Sequence, residues 1–209
     1  MRLYTNLFEN AISLESILEA WDEFKIGKRK KPDVQKFEYR LSDNLFSLQE
    51  ELGNGTYRHG SYHEFRINDP KPRIIHKANV RDRIVHHAIY KSLAPIFEKS
   101  FIADSFSCRK DKGAHRAVER LKIFLDKAYK TNRTCFVLKC DIRKFFQSID
   151  HDILLDIIAR RVKDRRMMHL VSEVVCSFRG AVLIERERES NRMPNRQSHL
   201  AAFWQCIYE

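Results

Sequence analysis

The stretch Lys139-Cys-Asp-Ile-Arg-Lys-Phe-Phe-Gln-Ser-Ile149 decides how the rest of the sequence is interpreted. It follows a short apolar run, Cys135-Phe-Val-Leu138, whose length and β-branched and aromatic residues predict a buried strand. Asp141 is therefore expected at or near the end of a core strand. A carboxylate there is unfavourable unless it binds a metal ion or joins a tight hydrogen-bond network. Taken alone, the pattern fits an aspartate that caps a turn equally well.

The charge balance of the chain indicates a polyanionic partner. The 209 residues include 39 Lys and Arg against 28 Asp and Glu, which gives a formal net charge of +11. Such an excess is typical of proteins that bind nucleic acid, and a basic but inert surface is the alternative. A chain of this length can form one large domain or two small ones.

Composition also bears on the compartment. No apolar run is long enough to span a bilayer, and the N-terminus lacks the apolar segment of a signal peptide. The five cysteines are odd in number and never in Cys-x-x-Cys spacing, which predicts neither a disulfide framework nor a zinc site. We therefore expect a cytoplasmic protein that does not engage a membrane.

Helical periodicity dominates the sequence on both sides of the predicted strand. Ser13 is a suitable N-cap for a first helix, and apolar residues from Val34 to Leu52 predict one second helix that Gly53-Asn-Gly55 stops. Further apolar faces predict helices over Val80–Phe97, after Gly113, after Asp150 and around 170–175. Within the first of these, Pro95 is expected to kink or end the helix, and the two adjacent histidines are expected to be satisfied or at the surface.

A change of period after residue 60 predicts a β-hairpin. Tyr62-His-Glu-Phe-Arg-Ile67 alternates, Asn68-Asp-Pro70 turns, and Lys71-Pro-Arg-Ile-Ile75 returns. Arg66, Lys71 and Arg73 would then cluster around the hairpin, where such cations can clamp a triphosphate. Charge that protects an edge strand explains them equally well.

Two other basic segments stand between helices. Lys25-Ile-Gly-Lys-Arg-Lys-Lys31 is typical of a solvated loop, and contact with phosphate is its alternative. The loop from Ser105 to Gly113 is basic and leads into a helix N-terminus, which favours contact with a nucleic-acid backbone.

An ordered series of short motifs carries a resemblance. The series comprises Lys71-Pro-Arg73, Arg81-Asp-Arg-Ile-Val85, Pro95-Ile-Phe97, Ser105-Phe106 with Arg109 and Gly113-Ala-His115, and Asp141 with Phe145-Phe146 and Ile149-Asp-His151. Over residues 1–178 it resembles the fingers and first palm half of bacterial reverse transcriptases. The diversity-generating retroelement type is the most similar, followed by the group II intron and retron types.

The resemblance implies a right-hand polymerase fold of the α+β class, largely helical with a small antiparallel hairpin and an incomplete palm sheet. Its parts would be an N-terminal helical part of the fingers (1–60), the rest of the fingers (61–130), the first half of the palm (131–178) and an aberrant tail (179–209). The implied activity is RNA-directed DNA synthesis. The implied partners are an RNA template, a DNA primer and deoxynucleoside triphosphates, and an accessory retroelement protein is a further candidate.

The resemblance also implies roles for single residues in catalysis. Asp141 matches the first metal-binding aspartate of a two-magnesium site, and the Ile142 carbonyl matches a further ligand. Hard oxygen ligands of this kind suit magnesium. Phe146 matches the bulky residue that packs under the sugar and excludes a 2′-hydroxyl, and a core aromatic is its alternative.

The remaining implied roles concern phosphate and template. Arg73, assisted by Arg66 or Lys71, matches the cations of the fingers that bind the triphosphate. A second group falls in the segment that lies along the template in the family: Arg109, Lys112, Gly113 and His115.

The resemblance stops after Phe178. The family continues with Pro-x-Gly-x-x-x-Ser-Gln and with a Tyr-x-Asp-Asp hairpin that bears the remaining catalytic carboxylates, and neither is present. From about Asn195 the tail can be back-translated and shifted by one nucleotide to restore the first of these segments, so we hypothesise that it is out of frame. The metal site would then be incomplete, the chain inactive alone, and the strand at Val137 without its hairpin partner.

Two alternatives remain open from the sequence. The chain can be a non-catalytic RNA-binding module in which Asp141 is structural. It can also be one half of a polymerase that a second chain completes.

Overall fold

The computed structural model describes residues 3–68, 72–132, 134–142 and 149–177 as a mostly helical α+β protein. The described elements are α1 (Leu7–Ile12), α2 (Leu14–Lys25), α3 (Pro32–Tyr39), α4 (Leu41–Gly53), β1 (His63–Ile67), β2 (Arg73–Lys77), α5 (Val80–Glu98), α6 (Gly113–Asn132), α7 (His151–Ala159) and α8 (Arg165–Ser177). The expected α+β class with a small antiparallel hairpin is confirmed. The expectations for Lys71, Phe146 and the 179–209 tail lie outside the described residues. Within these ranges, every helix is too short or too polar to cross a bilayer.

Helix α5 is the centre of the core. Helices α1, α2 and α3 all pack on it, and the α2 contact is the most extensive. The largest side chains at this contact are fully buried: Trp21, Phe24, Ile84, Ile89 and Leu93. Each contributes about 1.5–3 kcal/mol of burial free energy, so this contact is a major source of stability. Pro95 lies in the last turn and the helix continues through it to Glu98, so it does not end the helix.

The sequence predicts one helix from Val34 to Leu52, but the structure has two helices, α3 and α4, in this range. The chain leaves helical geometry at Arg40, with φ −121° and ψ 43°, which separates α3 from α4. The Asn44 side chain donates to the Phe37 carbonyl across the break at 2.9 Å. The break lets Val34 and the buried leucines of α4 reach the core from different directions. The predicted stop at Gly53 is confirmed.

Two of the predicted helix starts are confirmed by their caps. The Ser13 hydroxyl accepts a hydrogen bond from the Ser16 backbone at 3.2 Å at the start of α2. At α7 the Asp150 carboxylate accepts from Asp152 at 2.9 Å and from Ile153 at 3.1 Å. These side chains satisfy backbone N–H groups that have no partner inside the helix.

Asp164 joins the first and last parts of the described chain. One carboxylate oxygen accepts from the Phe8 backbone at 2.9 Å, and the other accepts from Arg166 and Met167 at 3.0 and 3.1 Å. Burial alone would raise the pKa of Asp164, but the donated hydrogen bonds, that of Phe8 first, lower it below its ordinary value. One side chain therefore caps both α1 and α8.

The predicted buried strand at Cys135–Leu138 is wrong. Residues 134–142 form no strand, and Phe136 and Leu138 are 93% and 87% exposed. A strand needs a neighbour to accept its backbone hydrogen bonds, and within the described ranges no strand lies beside this segment. Helix α6 begins at Gly113 as predicted, but much of its apolar face is also exposed, including Leu121 and Phe124.

Ile89→Ala tests the central position of α5. The side chain is fully buried, so we expect the free energy of unfolding to fall by about 2–5 kcal/mol through lost burial and a residual cavity. Urea denaturation followed by circular dichroism measures the change. Ile26→Ala is the matched control, because Ile26 is 74% exposed and its truncation should change stability by about 0.5 kcal/mol or less. Equal effects would contradict this account of the core.

Candidate nucleic-acid interface

The register of the hairpin places Arg66 and Arg73, two of the predicted phosphate-binding residues, in adjacent residue pairs. Arg66 of β1 lies opposite Ile74, and Ile67 lies opposite Arg73 at the start of β2. Residues opposite each other share a face, and successive residues alternate between faces. Positions 66 and 73 therefore belong to opposite faces of the hairpin. Lys71 lies outside the described residues.

The base of the hairpin is tied to the helical core by Asp33 of α3. Its Oδ2 atom lies 2.6 Å from the Lys77 amine of β2 and 2.8 Å from the Arg83 guanidinium of α5. Partial burial raises the pKa of Asp33, but the hydrogen bond from Lys77 and the charges of Lys77 and Arg83 lower it below its ordinary value. The carboxylate thus stays ionised and joins three elements.

The segment between α4 and β1 closes over a buried carboxylate on α5. Asp82 is 1% exposed and accepts from the Tyr57 hydroxyl at 2.9 Å and from the Gly60 backbone at 3.1 Å. Burial and the neighbouring carboxylate raise the pKa of Tyr57, so its hydroxyl remains a donor. A Cβ atom at position 60 would lie 2.9 Å from the Asp82 Oδ2 atom, so the close approach requires glycine.

A histidine pair extends this network. The His59 Nδ1 atom lies 2.7 Å from the Gly60 carbonyl, and its Nε2 atom lies 3.1 Å from Nε2 of His86. The carbonyl accepts only, so we assign the His59 proton to Nδ1 and make His86 the donor across the pair. Burial, followed by the charges of His59, His87 and Arg83, lowers the pKa of His86 to about 3. The lowered pKa keeps the His86 ring neutral at pH 7.

The same network reaches α8. The His59 backbone donates to Glu173 at 3.1 Å, and the Tyr62 hydroxyl lies 3.0 Å from the Ser177 hydroxyl. A cleft of about 90 Å³ opens beside Tyr57 and Glu173. It is much smaller than a typical small-molecule site of about 300–1,000 Å³. These contacts hold the segment that leads into β1 and do not form a substrate pocket.

Sequence reasoning assigned no role to Asp82, His59 or Glu173. One signal was present, because Asp82, His86, Ile89 and Leu93 repeat at the spacing of one helix face. Polar residues in register with buried apolar ones indicate an internal network. His86 was expected to be satisfied or at the surface, and its bond to His59 confirms the first of these.

Arg109, predicted to lie along a template, is engaged within the chain. Its Nε atom donates to Glu98 at 2.8 Å, and Nη1 donates to the carbonyls of Ile102 and Ser105 at 3.0 and 2.9 Å. Its side chain is only 10% exposed and its guanidinium lies 5.3 Å from the Phe101 ring centre. Arg109 therefore holds the loop against the end of α5.

The other predicted template residues are more accessible. The Lys112 amine donates to the Ala103 carbonyl at 2.5 Å and lies 5.0 Å from the Phe106 ring centre. Gly113 adopts φ +84°, which favours glycine, and starts α6. His115 is exposed in the first turn of that helix. This part of the chain presents basic side chains to solvent.

The predicted catalytic residues Asp141 and Ile142 lie in the exposed segment 134–142. Within the described ranges no group of three or more His, Cys, Asp or Glu residues could hold a metal ion. Two-metal phosphoryl transfer needs several oxygen ligands around both ions. The described residues therefore do not fit a two-magnesium site, and Phe146 lies outside them.

Comparison with known proteins gives two partial similarities, and no family model matches the chain. YkfC of Escherichia coli K12 is 29% identical over 138 residues, which are 65% of this chain and 36% of that protein. The "Putative COX1/OXI3 intron 1 protein" of Saccharomyces cerevisiae is 26% identical over 136 residues, 63% of this chain and 15% of that protein. The matched regions are thus a minor part of both relatives.

His86→Gln tests the histidine pair through the pH dependence of stability. Unfolded histidine binds a proton below its ordinary pKa of about 6.5, whereas folded His86 does so only near pH 3, with His87 near 4. Stability is therefore full above about pH 6.5 and falls toward lower pH, by up to about 1.4 kcal/mol per pH unit for each histidine.

Glutamine donates a hydrogen bond without titrating, so His86→Gln should flatten this slope by one histidine's share. Urea denaturation at several pH values measures the slope. His169→Gln, at an exposed histidine, is the control and should leave it unchanged. The account fails if the two variants behave alike.

Arg109→Ala tests the internal role of that residue. We expect the free energy of unfolding to fall by about 2 kcal/mol, because Glu98 and two carbonyls lose a charged donor. Lys112→Ala should lower it less, because Lys112 bonds to one carbonyl only and that bond is exposed to solvent. Thermal denaturation and RNA titration are measured on the same samples. A loss of RNA affinity at unchanged stability would instead assign Arg109 to the template.

Proposed function

We propose that this chain is the fingers and first palm half of a reverse transcriptase of a bacterial retroelement. The enzyme class copies an RNA template into DNA from a primer and deoxynucleoside triphosphates. The observation that carries the proposal is the ordered series of short motifs from Lys71-Pro-Arg73 to Asp150-His151. The net charge of +11 supports an RNA partner. The name of the yeast relative refers to an intron, and intron enzymes are among those that the sequence resembles.

The described contacts support two separate roles within this proposal: some residues position the hairpin and the α6 loop, and others are exposed for binding. Asp33 and the Asp82 network hold the base of the hairpin, so that Arg66 stands exposed on a positioned flap. Arg109 supports the loop that leads to α6, and His115 follows it in solvent. The exposed cations then contact phosphate, while the buried ones set the geometry.

We derive no catalytic step for the described residues. Asp141 offers one carboxylate, and the part of the chain that the structure describes offers no metal-binding group around it. We therefore expect the 209-residue chain to bind RNA without extending a primer.

A second candidate is a non-catalytic RNA-binding module in which Asp141 is structural, and the net charge of +11 suits it equally well. The exposed apolar segment Phe136–Leu138 favours a variant of the first proposal, in which a separately encoded second chain completes the palm. Only the polymerase candidates require the carboxylate of Asp141.

Primer extension on an RNA template tests the proposal. The 209-residue chain is compared with one whose reading frame is restored after residue 194, in magnesium with all four deoxynucleotides. We expect both chains to bind RNA, with affinity that falls as salt rises through counterion release, and only the restored chain to extend.

Asp141→Asn in the restored chain should abolish extension and leave RNA binding unchanged. Asp126→Asn, at another exposed aspartate, is the matched control and should extend normally. Extension that survives Asp141→Asn would refute the proposed catalytic role. Failure of both chains to extend, with normal binding, would favour the binding module.

A further inference from the structure

A cluster of positive side chains lies where the turn after α2 meets α5. We call Lys28, Lys31, Lys77 and Arg83 the basic cluster. The Lys28 amine and the Arg83 guanidinium lie 4.8 and 4.7 Å from the centre of the same ring, that of Phe24. The Lys31 backbone donates to the Lys28 carbonyl at 2.9 Å, so both lysines belong to one tight turn.

The basic cluster is under-neutralised. Lys77 and Arg83 share a single carboxylate oxygen of Asp33. Lys28 and Lys31 form no ion pair with any residue in the described ranges, and the adjacent Arg29 is occupied by Glu38 at 2.6 Å. The buried Nε atom of Arg83 has no hydrogen-bond partner among the described residues. Four cations thus face one carboxylate.

Titration behaviour agrees with excess positive charge at this place. Burial, then the charges of Arg83 and Lys31, lowers the pKa of Lys28 below its ordinary value. Burial, then the charges of Lys28, Arg83 and Lys91, lowers the pKa of His87 to about 4. Burial is the larger cause for both groups, and the neighbouring cations add a second contribution, which a bound anion would offset.

We propose that the basic cluster binds phosphate of a nucleic-acid backbone. Lysine amines and the arginine fork are the groups that hold phosphate oxygens. Exposed Lys30 adjoins the cluster and prolongs the positive surface along the turn, which suits a chain of phosphates better than one small anion. The inference rests on the proposed function only in naming nucleic acid as the polyanion, whereas the contacts above locate the site.

The site lies outside the residues to which the resemblance assigns template or nucleotide, and it selects phosphate contact over a solvated loop for the Lys25–Lys31 segment. The hairpin tip and the α6 loop belong to later parts of the chain, whereas Lys28 and Lys31 stand between the first helices. The basic cluster would therefore add a separate phosphate contact, and a strand bound there would run beside α2 and the base of β2. The alternative for the same residues is a solvated turn that contacts no ligand.

Competitive labelling of amines tests the wild-type chain directly. The protein is treated with a small amount of acetic anhydride, alone or with saturating short single-stranded RNA, and each lysine is quantified by peptide mass spectrometry. We expect RNA to reduce labelling of Lys28 and Lys31 several-fold and to leave Lys163 unchanged. Inorganic tripolyphosphate at equal phosphate concentration is the second arm. Absence of RNA protection, or protection by tripolyphosphate alone, would overturn the proposal.

A charge-matched pair of double variants provides the second measurement. Lys28→Gln with Lys31→Gln removes two cations of the basic cluster, and Lys163→Gln with Arg165→Gln removes two exposed cations near α8. Fluorescence anisotropy measures RNA affinity over a range of salt. The first pair should reduce the slope of log K against log salt by about one unit or more, and the control pair much less.

Equal slopes for the two double variants would overturn the site, since only the loss of a specific contact distinguishes them. Circular dichroism on the same samples identifies a variant that has failed to fold, and the labelling result then decides. Neither measurement depends on primer extension. A chain that fails to extend can still show the protected lysines, so failure of the enzyme proposal and failure of this site are separate outcomes.

Discussion

The buried carboxylate of Asp82 is the constraint on which the described structure depends. A charge removed from water is strongly unfavourable unless hydrogen bonds replace its hydration. Tyr57 and Gly60 provide those bonds from the segment before the hairpin, and Arg81 adds a third donor at 3.3 Å. The helix therefore cannot be buried in its observed place unless this segment closes over it. Closure, in turn, sets where β1 begins.

The described chain divides into a packed part and an exposed part. Around α5, apolar side chains are buried together, and the buried Asp82 and His86 side chains have hydrogen-bond partners. Helix α6 and the segment 134–142 instead expose large apolar side chains such as Phe124 and Phe136. Exposed apolar surface of this kind favours aggregation of a free protein and favours binding at an interface. The packed part supplies geometry, and the residues with the strongest expected chemistry lie in the exposed part.

Local sequence signals predicted the local structure well. Ser13 and Asp150 cap helices because their oxygens reach free backbone donors, and a period-two pattern with a turn gives the hairpin. Features that depend on distant residues were not predictable in this way. The break at Arg40 is bridged by a bond from Asn44 to the Phe37 carbonyl, seven residues earlier, and the expected strand at Cys135–Leu138 lacks a described neighbour.

The contacts of the candidate site also depend on distant residues, so local sequence did not predict them. A basic loop predicts exposed cations, but only coordinates show that Arg109 meets Glu98 and two carbonyls while His115 stays in solvent. The Asp82 network combines residues from a loop and two helices. Its one signal in the local sequence is Asp82, which lies on the same face of the helix as the buried apolar residues. Charge excess and motif order therefore indicated a partner class, whereas the roles of single cations required the fold.

The Asp164 carboxylate has a consequence for biosynthesis. It accepts from Phe8, a residue 156 positions earlier in the chain. On the ribosome, α1 emerges 156 residues before Asp164, so its N-terminal cap becomes available only after most of the described chain has been synthesised. Helix α1 has only six residues, too few for stable helix formation in isolation. Helix α1 is therefore among the last described elements to become ordered, and a nascent chain paused before residue 164 would expose the uncapped α1 segment to chaperones and proteases.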